Sequence, residues 1–242
     1  MAPEDFAAAV CDPFQELGAS HYFGPRAKAA AEELGIDQFR FYFAGRGGVL
    51  GNVSTEVFLS TFGYFNPEVV EKMWSSSKER CDVNEAATAQ LNIAYEIGEE
   101  SLGDIPGLAE AADAMGKLTS SVDVAALSLF AAFASRPVPE PAPHAFMHQT
   151  ILFRELRGSI HLAAIAATGC RSRAAHQIRR PQDLEMFGYQ DEVEIPDEEK
   201  AAYSKAEPLT EGAMATHAQR WLTADERGHI CATAMAALEA VR

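Results

Sequence analysis

The chain has 242 residues, 48% of them hydrophobic and 23% charged, and a formal net charge of −15. That is enough apolar material for a sizeable core in one large domain or two small ones, and no run of 18 apolar residues is present to span a bilayer. So negative a chain opposes nucleic-acid binding, which rests on Lys and Arg neutralising phosphates.

The N-terminus, Met1-Ala2-Pro3-Glu4-Asp5, is acidic and lacks the basic-then-apolar layout of a secretion signal, so cytoplasmic residence is expected. Cys11, Cys81, Cys170 and Cys231 lie far apart without CxxC pairing and read as reduced, small apolar residues. Helix signals dominate from there. Pro3-Glu4-Asp5 opens a helix with acids in its first turn, and Gly24-Pro25 opens another ending near Gly35. The run from Gly45 to Gly51 is glycine-rich but has no Gly-Lys-Ser/Thr ending, and reads as a turn rather than a phosphate cradle. Ser54-Thr55-Glu56 and Asn66-Pro67-Glu68 are capped helix starts. Residues 85–101 form an amphipathic helix with Ala87, Leu91, Ala94 and Ile97 on one stripe, and 106–117 and 122–134 add two more.

Residues 135–143 carry four prolines in nine positions and read as an extended connector. It divides the chain into an N-terminal half (1–134) and a C-terminal half (144–242), each with a helix-turn-helix cadence. A helix over about 144–156 leads to Arg157-Gly158, a small-residue helix, a turn at Gly169, and a short helix carrying Arg171, Arg173 and His176, with Arg179 and Arg180 behind it. Residues 150–180 hold six arginines and one acid, a local +5 that leaves the remainder at −20. Residues 183–211 hold ten acids and two lysines and read as an exposed loop or hairpin, the place for a small β-hairpin wing. A last helix over about 210–240 follows. A weak echo links Arg46-Gly47 and its following helices to Arg157-Gly158, 111 residues later. The expected fold is therefore all-α, two helix-turn-helix or winged-helix-like halves, dimeric through long apolar helices.

His21-Tyr22-Phe23, Tyr42-Phe43-Ala44-Gly45-Arg46, Gly51, and Phe62 through Asn66-Pro67, followed by Arg154-Glu155-x-Arg157-Gly158-x-x-His161, Ala163-Ala164 and Gly169, carry a resemblance. Over roughly 15–180 the chain resembles an actinobacterial helix-turn-helix family. The resemblance implies an all-helical, winged-helix-like fold and no particular reaction. The family pattern has Asp after Arg-Gly where this chain has Ser159.

Four clusters are candidates for chemistry. His21, Tyr22, Tyr42 and Arg46 lie among Phe23, Phe39, Phe41, Phe43 and Phe62. That pattern suits a small-molecule site or polar groups capping a core, with the imidazole as proton carrier. Arg154, Glu155, Arg157 and His161 share helix faces, where two guanidiniums could clamp an anion or fix an ion-pair network. His144 and His148 are spaced i, i+4, but Glu155 is two turns away, so one ion cannot reach all three and no metal is expected. Arg171, Arg173, His176, Gln177, Arg179 and Arg180 read either as a DNA-recognition helix or as a basic face paired with the acidic 183–199 segment.

The expectation is a small-molecule binder or cofactor-independent acid/base enzyme of specialised metabolism, with its pocket between the halves. His21, His161 and Glu155 would serve as proton-transfer groups. Tyr22, Tyr42, Arg46, His148, Arg154 and Arg157 would hold an anionic or enolate-like ligand. The alternative is a ligand-responsive regulator that reads DNA with Arg171, Arg173, His176, Arg179 and Arg180. Neither reading requires a cofactor or a membrane.

Overall fold

The computed structural model describes residues 1–242 and contains twelve α-helices and no strand. They are α1 (Pro3–Leu17), α2 (Pro25–Glu33), α3 (Gln38–Gly48), α4 (Thr55–Thr61), α5 (Pro67–Lys78), α6 (Val83–Ser101), α7 (Leu108–Thr119), α8 (Ser128–Ala134), α9 (Ala142–Thr168), α10 (Ser172–Arg179), α11 (Asp197–Trp221) and α12 (Ala224–Val241). None is long and apolar enough to cross a membrane. Side-chain caps fix many of the starts: Asp37 accepts from the Arg40 amide, Ser54 from Val57, Asn66 from Glu68 and Asp82 from Asn84. Thr223 and Glu226 form a reciprocal capping box on α12.

The organising element is α9. Its 27 residues run roughly 40 Å at 1.5 Å per residue, and it packs against α1, α6, α7, α8 and α11. Phe146, Met147, Ile151, Leu152, Phe153 and Leu156 seat it in one core cluster of 53 buried residues that runs from Phe6 to Leu238. That core draws on both sides of residues 135–143. The proline-rich stretch is a link across one shared core, so the 1–134 and 144–242 segments do not have separate interiors. A small second cluster joins the end of α9 and α10 to Ala202 and Ala206 of α11.

Four sequence expectations are corrected. The glycines at 45, 47 and 48 lie inside α3 instead of forming a turn. A Cβ on Gly47 would overlap the Phe58 ring, one on Gly48 would overlap the Val83 carbonyl, and one on Gly45 would stand 2.6 Å from Gln90. Gly45 and Gly48 thus let α3 lie directly on α6 and Gly47 lets it meet Phe58 of α4, and within this run only Gly51, φ +75°, is left-handed. Gly158 does not break the helix, and α9 runs unbroken to Gly169, whose φ of +78° ends it. No β-hairpin wing forms. Residues 183–189 close into turns through their own backbone, while Asp191 and Val193 pair with α10 and Gly188 with Asn66 at the start of α5. The C-terminal helix is two helices, parted at Leu222-Thr223, and α11 starts at Asp197 because three consecutive acids occupy its first turn.

Candidate functional site

The site grows from a carboxylate that the fold has buried. Glu155 is 1% exposed on α9. Arg46, delivered by α3 from 109 residues away, grips it bidentately, Nε to Oε1 at 3.0 Å and Nη2 to Oε2 at 2.7 Å. Arg154 donates to the same Oε1 at 2.5 Å, and the Tyr22 hydroxyl donates to it at 3.2 Å. Burial pushes the Glu155 pKa up, but Arg46 and Arg154 outweigh it and hold it at about 2. A group so held is a fixed anion, which removes the expected role of Glu155 as a base near neutrality and makes it the anchor of two arginines. Both guanidiniums also lie on aromatic faces, Arg46 4.7 Å from the Phe62 centroid and Arg154 4.9 Å from that of Tyr22.

This cluster forms one end of a cavity of about 1050 Å³ walled by α1, α3, the 60–65 turn, α9, α10 and α11. Tyr42, Arg46, Arg154, Glu155, Arg157 and His161 all line it. The lining holds six arginines (46, 154, 157, 179, 180 and 242) and four acids (Asp12, Glu16, Glu155 and Glu207), so it is +2 in a chain of −15. At the far end Arg157 pairs with Glu207, and His161 Nδ1 shares a 2.9 Å hydrogen bond with the Thr210 hydroxyl while Glu207 stands 3.5 Å away. Burial lowers the His161 pKa and Glu207 opposes that shift. Tyr64 and His176 complete this end, with ring centroids 6.2 Å apart.

Three expected site residues stand apart from the cavity lining. His21 is 1% exposed behind Tyr22, with ring centroids 4.3 Å apart. Burial and then Arg154 lower its pKa to about 3, so it stays neutral and shielded. Tyr22 supports Arg154 and Glu155 from below. His148 faces the other way, where it shares a 2.8 Å hydrogen bond with Tyr95, and burial lowers its pKa to about 4. His144 pairs with Glu99 at 2.6 Å, so the two helix histidines and Glu155 address three different partners. Tyr64, Glu207 and Phe187 were not singled out in the sequence, because nothing in their local pattern marks them and only the packing of α9 against α11 and the 60–65 turn brings them together.

The basic helix α10 is covered by its own chain. Glu199 takes the Arg171 guanidinium at 2.7 Å through both oxygens and the Arg171 amide at 2.9 Å. Arg173 donates to the Asp191 carbonyl at 2.9 Å and stacks on Tyr189. Gln177 exchanges two hydrogen bonds with the Val193 backbone, and Arg180 faces Asp183 at 3.6 Å. His176 is buried, its ring 3.9 Å from Phe187. Phe187 in turn stacks on Phe65 at 4.2 Å, and Asn66 holds the Phe187 and Gly188 carbonyls at 2.9 Å each. The acidic 183–199 segment is thus a strap that ties α10 to the 62–66 turn and closes one wall of the cavity.

No curated protein and no solved structure matches the chain. A family model described as a helix-turn-helix family matches residues 7–229, which takes in α9, the Gly169 turn and α10 together with every wall of the cavity except Arg242. By that match, over nearly its whole length, the chain belongs to this helix-turn-helix family.

Proposed function

We propose that this protein binds a small organic molecule inside the cavity between α3, α9 and α11, with His161 as the group able to exchange a proton with it. The carrying observation is that charged and aromatic side chains from distant parts of the sequence line a single half-open cavity of about 1050 Å³, the usual form of a small-molecule site. His161 is the lining histidine with both a hydroxyl and a carboxylate beside its ring, which suits acid/base work without a cofactor. The setting in specialised metabolism remains part of this proposal.

The DNA-reading alternative draws on the family and on α10. Against it stand the contacts of Arg171, Arg173 and Gln177 with residues 189–199, since a recognition helix must present such side chains to base edges. The exposed cations at the C-terminal end of that helix, Arg179 and Arg180, both line the cavity.

The test is thermal unfolding against a panel of neutral, acidic and basic aromatic compounds, because any ligand of the folded state raises its stability by mass action. Wild type is expected to shift with some members, and Leu162→Trp, which fills the cavity from α9, is expected to lose those shifts. Shifts of equal size in Leu162→Trp, or none in wild type, would overturn the proposal.

A further inference from the structure

The ends of the cavity differ in chemistry, and the difference specifies a class of ligand. At the first end two arginines share one carboxylate, which leaves one unit of positive charge unmatched beside Tyr42. The buried Nε of Arg154 has no hydrogen-bond partner in the protein. A guanidinium out of water is costly while its charge is unbalanced, and a single added anion against the Arg46 and Arg154 guanidiniums that line the cavity would balance it. At the second end the buried Tyr64 hydroxyl and His176 Nε2 also lack protein partners. Of the seven buried side-chain polar atoms without a partner, these three belong to residues that line this one cavity.

Between the two ends runs a wall of rings. Tyr42 and Phe65 are 5.9 Å apart, Phe65 and Phe187 4.2 Å, and Phe187 and His176 3.9 Å. α9 forms the facing wall. Its Arg154 and His161 are seven residues apart, about 10 Å along the axis, the length of two or three fused or linked rings.

On the reading that the cavity binds a small molecule, we infer that its ligand is an elongated aromatic monoacid. Its carboxylate sits on Arg154 and Arg46, its rings lie along Phe65 and Phe187, and a hydroxyl or carbonyl oxygen at its far end meets Tyr64 and His176. The unmatched charge at the first end is a single unit, which matches a carboxylate better than a doubly charged phosphate. The far oxygen would also lie within the reach of His161, so the group proposed to move a proton would face the end of the ligand that carries one.

Three matched probes read this directly by isothermal titration: 2-naphthol, with a hydroxyl alone; 2-naphthoate, with a carboxylate alone; and 6-hydroxy-2-naphthoate, with both at opposite ends of the same rings. In wild type, 2-naphthoate should bind about tenfold or more tighter than 2-naphthol, as a charge-assisted hydrogen bond implies, and the second hydroxyl should add about threefold. Arg154→Gln should erase the preference for the acid, and Tyr64→Phe should erase the gain from the hydroxyl, with circular dichroism confirming that each variant is folded. The wild-type comparison stands alone if either variant fails to fold. Three equal affinities would overturn the ligand class and leave a ligand-binding cavity. An acid preference without a hydroxyl gain would overturn the two-ended assignment. Failure of all three to bind up to about 1 mM, an interaction weaker than about 4 kcal/mol, would overturn this inference, while the thermal-unfolding panel decides the small-molecule reading separately.

Discussion

Two arginine–glutamate pairs in this protein have almost the same local geometry and opposite consequences. Arg46 grips Glu155, and Arg171 grips Glu199, each through Nε and a terminal nitrogen at 2.7–3.0 Å. Around Glu155 the side chains are 1% exposed for the acid and 14% for Arg46, and a second arginine, Arg154, claims the same carboxylate. Around Glu199 the arginine is 69% exposed and the match is one to one. Glu199 itself is 8% exposed, but its arginine lies mostly in water, and such a pair adds little because solvent already serves the guanidinium. The same pair out of water is expensive to assemble and more expensive to break. A fold that buries two cations on one anion beside a cavity has placed positive charge where a ligand can reach it. A fold that covers α10 with its own acids has used its charge for closure.

The widest separation between the two regions should appear on truncating one partner of each pair. Glu155→Ala strands two buried guanidiniums and is expected to destabilise the fold by about 3–5 kcal/mol, read as a fall in urea midpoint. Arg171→Ala should leave that midpoint unmoved within error. Equal effects would dissolve the distinction. Gly48→Ala is the next largest. A methyl group directed at the Val83 carbonyl must push α3 off α6, at a cost of about 1–3 kcal/mol, and because α3 carries Arg46 it should also weaken binding of 2-naphthoate. Gly158→Ala, with open space around its Cβ position, serves as the control and should be neutral or slightly stabilising in mid-helix.

A smaller effect is expected from pH. Glu155 has its folded pKa held at about 2, below the ordinary 4.5. Its contribution is therefore complete above about 4.5 and lost as pH falls toward 2. His21 and His148 are kept neutral by burial, with folded pKa values of about 3 and about 4 against 6.5. The unfolded chain takes up those protons first, so stability should begin to decline below pH 6.5, before any carboxylate in this cluster titrates. His148→Gln should flatten the decline between pH 6.5 and 4 and leave the steeper loss below 4.5 intact. A profile that stays level down to pH 4.5 in wild type would show that these two histidines are not buried neutral.

The buried region was partly legible in the sequence. The spacing of Arg154, Glu155, Arg157 and His161 places them together on one helix, but leaves Glu155 as either an internal partner of the arginines or a proton-transfer group. Tyr42 and Arg46 were marked by their setting among phenylalanines, but as a separate cluster, because a pairing across 109 residues leaves no local trace. His21 and His148 carry the right chemistry for a site, and only burial shows that they face away from the cavity. The glycines of α3 misled for a physical reason: the same residue that permits a turn also permits two helices to touch, and local sequence does not separate the two uses. Residues 183–211 read as loop or hairpin on their ten acids and two lysines alone. In the fold the acids at 197–199 serve a helix start, and Pro208 is accommodated within α11. The pairing of α10 with the acidic segment was visible in the charges alone. Its consequence, a strap that closes the cavity through Phe187, needed the chain's path in space.

The central claim, that this helix-turn-helix chain has turned its charged and aromatic groups inward onto a small molecule, is tested most directly by native mass spectrometry. The whole chain would be presented with 6-hydroxy-2-naphthoate and a duplex oligonucleotide together at near-physiological ionic strength. The account predicts a one-to-one adduct with the acid, absent from Leu162→Trp, and no duplex-bound species. A duplex complex with no acid adduct would contradict it.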